Sequence, residues 1–279
     1  MKNKHLHKIF ANVKSFPSIP FVASKIFGML DDEDVSAEEI EKEVKYDAGL
    51  TANILKMANS AYFGFPAKVG SLKQAVVLMG ANRVKQLLLA SCMNAIMDKE
   101  IEGYDLPSGE LWRHSIAVSV TAEEMVKELK FNDSEDVFTA ALLHDIGKLA
   151  LGRFVKDEIK EIEEESLKSK SFVEAERVVL GTDHAEVGAL ILKEWAFPDD
   201  IINTVRWHHA PDESENSSRM LDIVHVANVL CLMIGIGSGR EGLRYEVTQS
   251  ALERLGLKLG HLESIASRTL HSIESLFIE

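Results

Sequence analysis

The chain has 279 residues, 46% hydrophobic and only 6 of them proline, enough to bury a core in one large or two modest domains without disulfide staples. Its 31 basic residues stand against 44 acidic ones, a net charge of −13, so the long-range field repels phosphate backbones and anionic bilayers, and neither nucleic acid nor membrane is expected as a partner. Cys92 and Cys231 each lie in an apolar helical run, as reduced thiols do, and with no secretory leader or membrane span read from the sequence the expected location is the cytoplasm.

Helical periodicity runs through the chain and no alternating strand pattern interrupts it, so the expected fold is all-α. Ser36 with Glu39 and Ser71 with Gln74 read as capping boxes that open helices. Between them Leu50, Ile54, Leu55 and Ala58 form an apolar stripe at helical spacing, and Val84, Leu87, Leu88, Ala90 and Ser91 continue helically to about Met97. The segment 98–109, DKEIEGYDLPSG, is charged and carries Gly and Pro. It is the predicted boundary between an N-terminal helical lobe, residues 1–100, and a core, residues 101–279. Beyond it helices are expected at about 110–129, 135–150, 156–168, 172–180, 183–195, 199–208, 219–234, 246–255 and 261–277. The acidic runs at 31–43 and 156–165 read as solvated helix faces.

Residues 142–149, LLHDIGKL, place His144 and Asp145 side by side behind an apolar helical approach. Adjacent helical residues diverge by about 100°, yet one metal beside the helix is within reach of both, and Lys148 returns to the same face four residues after His144. His114 lies in a helix upstream, His184 opens another, and His208 with His209 closes a third. Five imidazoles and one carboxylate, mostly at helix ends, are the parts from which metal sites in helical bundles are built. Nitrogen and oxygen donors without sulfur favour one or two divalent transition metals, iron, manganese, nickel, cobalt or zinc.

The ordered series His114, LLHDIGK, DHAEVGALIL, WHHAPDE and HVANVL resembles the HD superfamily of metal-dependent phosphohydrolases, and the HD-GYP cyclic-dinucleotide phosphodiesterases within it. Two departures stand out: no GYP follows the histidine pair, and Asn228 occupies the place of the last metal-binding aspartate. An amide keeps a carbonyl oxygen but removes a full negative charge beside the cation, so metal affinity should fall. FPSIPFVASKIFGML, YDAGLTANILKMANSAYFG and VGSLKQAVVLMGANRVKQLLL, with NSAYFG as the most specific short motif, resemble the HDOD family, in which a helical lobe precedes a degenerate HD core.

That resemblance implies an HD-domain-like helical bundle with an N-terminal helical lobe, and a metal site of His114, His144, Asp145, His184, His208, His209 and Asn228. It implies a regulatory role in signal transduction, acting through a signalling protein partner or a small phosphorylated ligand such as a nucleotide. Should the chain be an enzyme, the implied reaction is phosphoester hydrolysis, with Asp145 bridging metals and Lys148 neutralising charge on the leaving-group side. A third expectation is a scaffold around a structural metal.

Three further features read more plainly. GSGREG at 237–242 formally matches a dinucleotide-binding pattern, but it follows a helix and is taken as a loop. Trp195 and Trp207 are expected in the core, with walls of a ligand pocket as the alternative. His225, three residues before Asn228 on the same helical face, is expected as an ordinary core histidine, with a further ligand or a donor behind one as the alternative.

Overall fold

The computed structural model describes residues 3–19, 25, 29, 36–44, 48–60, 62, 63, 65, 68–131, 135–169, 171–237, 239, 240 and 245–277. Most of FPSIPFVASKIFGML, the first five residues of the acidic run at 31–43, Ala61 and Gly64 of NSAYFG, and Ser238, Glu241 and Gly242 of the glycine-rich loop lie outside the described residues. In chain order the helices are α1 (Asn3–Lys14), α2 (Ala37–Val44), α3 (Ala48–Ala58), α4 (Leu72–Met79) and α5 (Ala81–Met97). They continue as α6 (Glu110–Leu129), α7 (Glu135–Leu143), α8 (Gly147–Asp157), α9 (Ile159–Ser166) and α10 (Phe172–Leu180). The last are α11 (His184–Glu194), α12 (Asp199–Trp207), α13 (Arg219–Met233), α14 (Gln249–Leu255) and α15 (Leu259–Phe277). The fold is all-α; among the described residues the extended pairing is a single isolated bridge between Ile101 and Leu106.

The chain forms two compact units, Met1–Pro17 with Met97–Thr269, and Ser18–Ile96 with Leu270–Glu279. In the second unit α2, α3 and α4 pack on one another. The Ser36–Glu39 capping box is present there, and at Ser71 the cap forms while the Gln74 side chain accepts from Gly70 N–H in place of Ser71 N–H. Ser36 N–H donates to Glu39 Oε2 at 2.9 Å and Ser71 Oγ accepts from Gln74 N–H at 3.1 Å, satisfying amides that a helix start leaves open.

In the larger unit α13 is buried along nearly its whole length and packs against α6, α7, α12 and α14. Helix α11 is held between α8 and α12. The opening helix α1 belongs to this unit and not to the 1–100 lobe: Ile9 and Val13 are buried, Asn12 Nδ2 donates to Ala150 O at 2.8 Å, and α1 packs on α8 and α11. The segment 98–109 is likewise no loose linker. Ile101, Tyr104 and Leu106 are buried and a short 3-10 turn, Glu102–Tyr104, packs against α8, because these apolar residues anchor an otherwise charged stretch.

One expected helix is two. The 135–150 segment stops at Leu143, turns through His144, Asp145 and Ile146, and restarts as α8 at Gly147. The turn is closed by Ile146 N–H to Leu143 O at 3.0 Å and Lys148 N–H to Asp145 O at 3.0 Å. Apolar spacing carries on across the break, which is why periodicity hides it. Gly147 brings α8 and α11 into close approach: a Cβ there would overlap the His184 carbonyl and the Gly188 amide, so only glycine fits between the two helices. Deeper in the core, Cys231 Sγ sits 3.2 Å from Thr121 Oγ1, and burial pushes its thiol up to about 12.

Candidate metal centre

Asp145, at the apex of the α7–α8 turn, stands at the middle of the cluster. Its Oδ1 lies 3.4 Å from His184 Nε2 and 3.7 Å from His208 Nε2. Its Oδ2 lies 2.7 Å from Lys148 Nζ, 3.2 Å from His144 Nε2 and 3.6 Å from His114 Nε2. His209 Nε2 reaches His184 Nε2 at 2.9 Å, and Asn228 Oδ1 reaches His114 Nε2 at 3.0 Å. The structure therefore brings His114, His144, Asp145, Lys148, His184, His208, His209 and Asn228 together from α6, the α7–α8 turn, α8, α11, the end of α12 and α13.

The far side of each ring fixes what the near side can do. His114 Nδ1 is 3.0 Å from Ile236 O, His144 Nδ1 2.7 Å from Ala141 O, and His208 Nδ1 2.7 Å from Val205 O. His184 Nδ1 is 2.9 Å from Glu176 Oε2. Carbonyl and carboxylate oxygens only accept, so in all four rings Nδ1 carries the proton and Nε2 of the neutral ring presents a lone pair. Those lone pairs converge on Asp145. Anchoring of this kind orients imidazoles toward a metal and sets their tautomer. His114 Nε2 and Asn228 Oδ1, two acceptors face to face, suit a shared cation or an amide presenting its NH2 group instead.

Burial keeps His114, His208 and His209 neutral. Desolvation, followed by the charge of neighbouring groups, lowers His114 to about 3 and holds His208 and His209 well below the usual imidazole range. For Asp145 burial opposes the charge, but the neighbouring groups, the Lys148 ammonium at 2.7 Å among them, outweigh it and keep the carboxyl well below its ordinary value.

Within the cluster His144 Nε2, Asp145 Oδ1 and His208 Nε2 are buried without a hydrogen-bond partner among the described residues. Buried polar atoms are nearly always satisfied, so these need a partner that protein atoms do not supply. Two overlapping groups of donors have the reach to hold a cation: Asp145 with His184, His208 and His209, and Asp145 with His114 and His144. The residues present fit a divalent metal on nitrogen and oxygen donors.

His225 is not among those donors. Its Nδ1 donates to His208 O at 2.8 Å and its Nε2 accepts from Thr248 N–H at 3.0 Å, so it braces the backbone of a ligand candidate. Trp207 lines a cleft of about 240 Å³ with Arg177, Thr182, Asp183, Glu186 and Arg206, while Trp195 packs at 6.0 Å from Phe16.

Two parts of the site are not visible in the sequence pattern. Glu176 is fully buried and accepts both the backbone N–H and the Nδ1–H of His184, at 3.1 and 2.9 Å, while Tyr104 donates to its other oxygen at 2.5 Å. A signal existed: Glu176 lies four residues from both Phe172 and Leu180, a carboxylate on the buried stripe of α10. The second part is the glycine-rich loop, whose Ile236 carbonyl anchors His114 and whose Gly237 packs on the same ring.

Comparison with known proteins agrees with this architecture. The HDOD domain family model matches residues 16–211. An uncharacterized protein of Treponema pallidum (strain Nichols) is 23% identical over 230 residues, covering 78% of this chain, which spans 42% of that relative. The crystal structure of an HDOD domain protein of unknown function from Geobacter sulfurreducens superposes with a TM-score of 0.74 at 21% identity, covering 98% of this chain and 100% of that one. A Shewanella amazonensis SB2B protein provisionally named a phosphohydrolase gives 0.67 at 22% identity, over 94% and 97%. These structures share the fold. No helix among the described residues is long and apolar enough to cross a membrane.

Proposed function

Since this chain belongs to the HDOD domain family, we propose that it is a cytoplasmic regulatory module of signal transduction whose HD-type site holds a divalent transition metal. Its state is read by a signalling protein partner or changed by a small phosphorylated ligand. One observation carries the regulatory reading: His114, His144, Asp145, Lys148, His184, His208 and Asn228 are each no more than 3% exposed. A hydrolase needs a phosphoester and a water at the metal. Here the polar groups are enclosed by six backbone elements, and the cation that would meet a phosphate, Lys148, is engaged with Asp145. A bound metal would supply Lewis acidity and charge; the protein's own residues supply orientation and exclusion of water.

A phosphohydrolase is the second reading, favoured by His209, the cluster's least buried imidazole, and by the provisional name of the Shewanella protein. In that case Asp145 and Lys148 are the groups nearest the chemistry. Elemental analysis of the purified protein, alongside turnover of bis(p-nitrophenyl) phosphate with added manganese, separates the readings. Metal without turnover is the expected result. Turnover lost in Asp145→Asn would establish the enzyme, and absence of metal in folded protein would overturn the metal centre itself.

A further inference from the structure

The two oxygens of Asp145 face different company. On the Oδ1 side stand His184 and His208, at 3.4 and 3.7 Å, with His209 2.9 Å from His184, and Oδ1 itself has no hydrogen-bond partner among the described residues. On the Oδ2 side a positive charge is already in place: Lys148 Nζ at 2.7 Å, buried to 3% exposure, beside His144 and His114. Behind His114 comes the neutral amide of Asn228 at 3.0 Å. From this asymmetry we propose that the centre takes one divalent cation, on the Oδ1 side among Asp145, His184, His208 and His209, and that the Lys148 ammonium stands permanently where a second cation would sit. The proposal rests on the reading that this site binds a metal.

Charge balance decides between one cation and two. Among the described residues the anions touching the cluster are Asp145 and, through His184, Glu176. One divalent cation together with Lys148 sets three positive charges against those two carboxylates. A second cation would set five against two, in surroundings where unpaired charge is poorly screened and costly to bury. Donor atoms alone do not prevent the second cation, since His114, His144 and Asp145 have the reach; the missing negative charge and the resident ammonium do. Removing the ammonium and restoring a carboxylate, Lys148→Gln with Asn228→Asp, would set four positive charges against three with two cations bound. That is the same excess as the natural chain with one.

The test is metal stoichiometry. Metal-stripped protein is saturated with manganese, freed of excess, and assayed by elemental analysis and isothermal titration. The natural chain should hold one manganese per chain and the double variant two. Within the natural background His209→Ala should weaken binding about tenfold or more, and His144→Ala should shift the dissociation constant by less than about threefold. Two manganese ions in the natural chain would overturn the proposal and leave the metal-binding reading standing; none in folded protein would remove both. A folded double variant that stays at one ion overturns it as well. Should the double variant not fold, the single variants decide: loss on His144→Ala with retention on His209→Ala places the cation on the wrong side of Asp145.

Discussion

Gly237 lays its backbone against the imidazole of His114. Its φ is +78°, and a Cβ built there would overlap the ring, while the preceding Ile236 carbonyl accepts from the same ring's Nδ1 at 3.0 Å. Gly237→Ala therefore carries two penalties, left-handed strain of about 1–2 kcal/mol and displacement of His114. Gly235, at φ +84° and with open space around its Cα among the described residues, carries the strain alone. Urea unfolding should find Gly237→Ala less stable than Gly235→Ala by about 1 kcal/mol or more. Equal losses would mean that the loop does not hold the ring.

Glu176 sets the tautomer of His184 and Tyr104 sets Glu176. In Glu176→Gln the amide oxygen can still accept from His184 while its NH2 group turns to the Tyr104 hydroxyl, but the negative charge behind the imidazole is gone, so the ring is a poorer ligand and manganese affinity should fall about 10–100-fold. Tyr104→Phe removes one hydrogen bond to a buried charge, and about 1.5–3 kcal/mol of stability should go with it. Titration calorimetry reads the first and urea unfolding the second. Unaltered manganese affinity in folded Glu176→Gln would take His184 out of the metal's coordination.

Acid should undo the metal-stripped fold in a definite direction. His114 protonates near the ordinary imidazole value of 6.5 when unfolded but only at about 3 in the fold, and His208, His209 and His225 are lowered too. Below pH 6.5 the unfolded chain therefore binds more protons, and stability declines as pH falls toward 3; above 6.5 these rings contribute no slope. Asp145 works at lower pH, its stabilisation being present above the ordinary carboxyl value of 3.8 and lost below it. Between pH 6.5 and 4 each neutral imidazole costs up to about 1.4 kcal/mol per pH unit. Urea midpoints at pH 8, 6 and 5 should drop across the last two, and a flat profile would show that the rings charge within the fold.

Helix α1 is expected to be part of the metal-bearing core. Ile9 is fully buried and α1 packs on α8 and α11, which carry Lys148 and His184. Ile9→Ala should cost about 2–5 kcal/mol, as large-to-small changes in cores do. A change below about 0.5 kcal/mol in calorimetric stability would show that α1 is only loosely docked.

Helices bounded by caps and breakers were legible in the sequence: the caps at Ser36 and Ser71 and the spans of α6, α10 and α13 follow from spacing and capping chemistry. The gathering of His114, His144, Asp145, His184, His208 and His209 was legible only as candidates in order along the chain. Their meeting depends on helix crossings such as the Gly147–His184 approach, which no local pattern encodes. The break at His144 was hidden because the apolar pattern crosses it unchanged. Tyr104 and Glu176 were missed for the opposite reason: one sits in a stretch that composition marks as a linker, the other is a charge where periodicity asks for an apolar residue.

Cys231 turns the helix that carries Asn228 into its own timekeeper. The thiol lies three residues further along α13, fully buried, with ionisation pushed up to about 12. At neutral pH such a thiol is almost wholly protonated, and only the thiolate attacks an alkylating reagent. Labelling of Cys231 must therefore wait for α13 to open, in a Cys92→Ser background that silences the other cysteine. The rate of modification measures how often the inner wall of the metal centre lifts away, with and without manganese, and needs no knowledge of the partner.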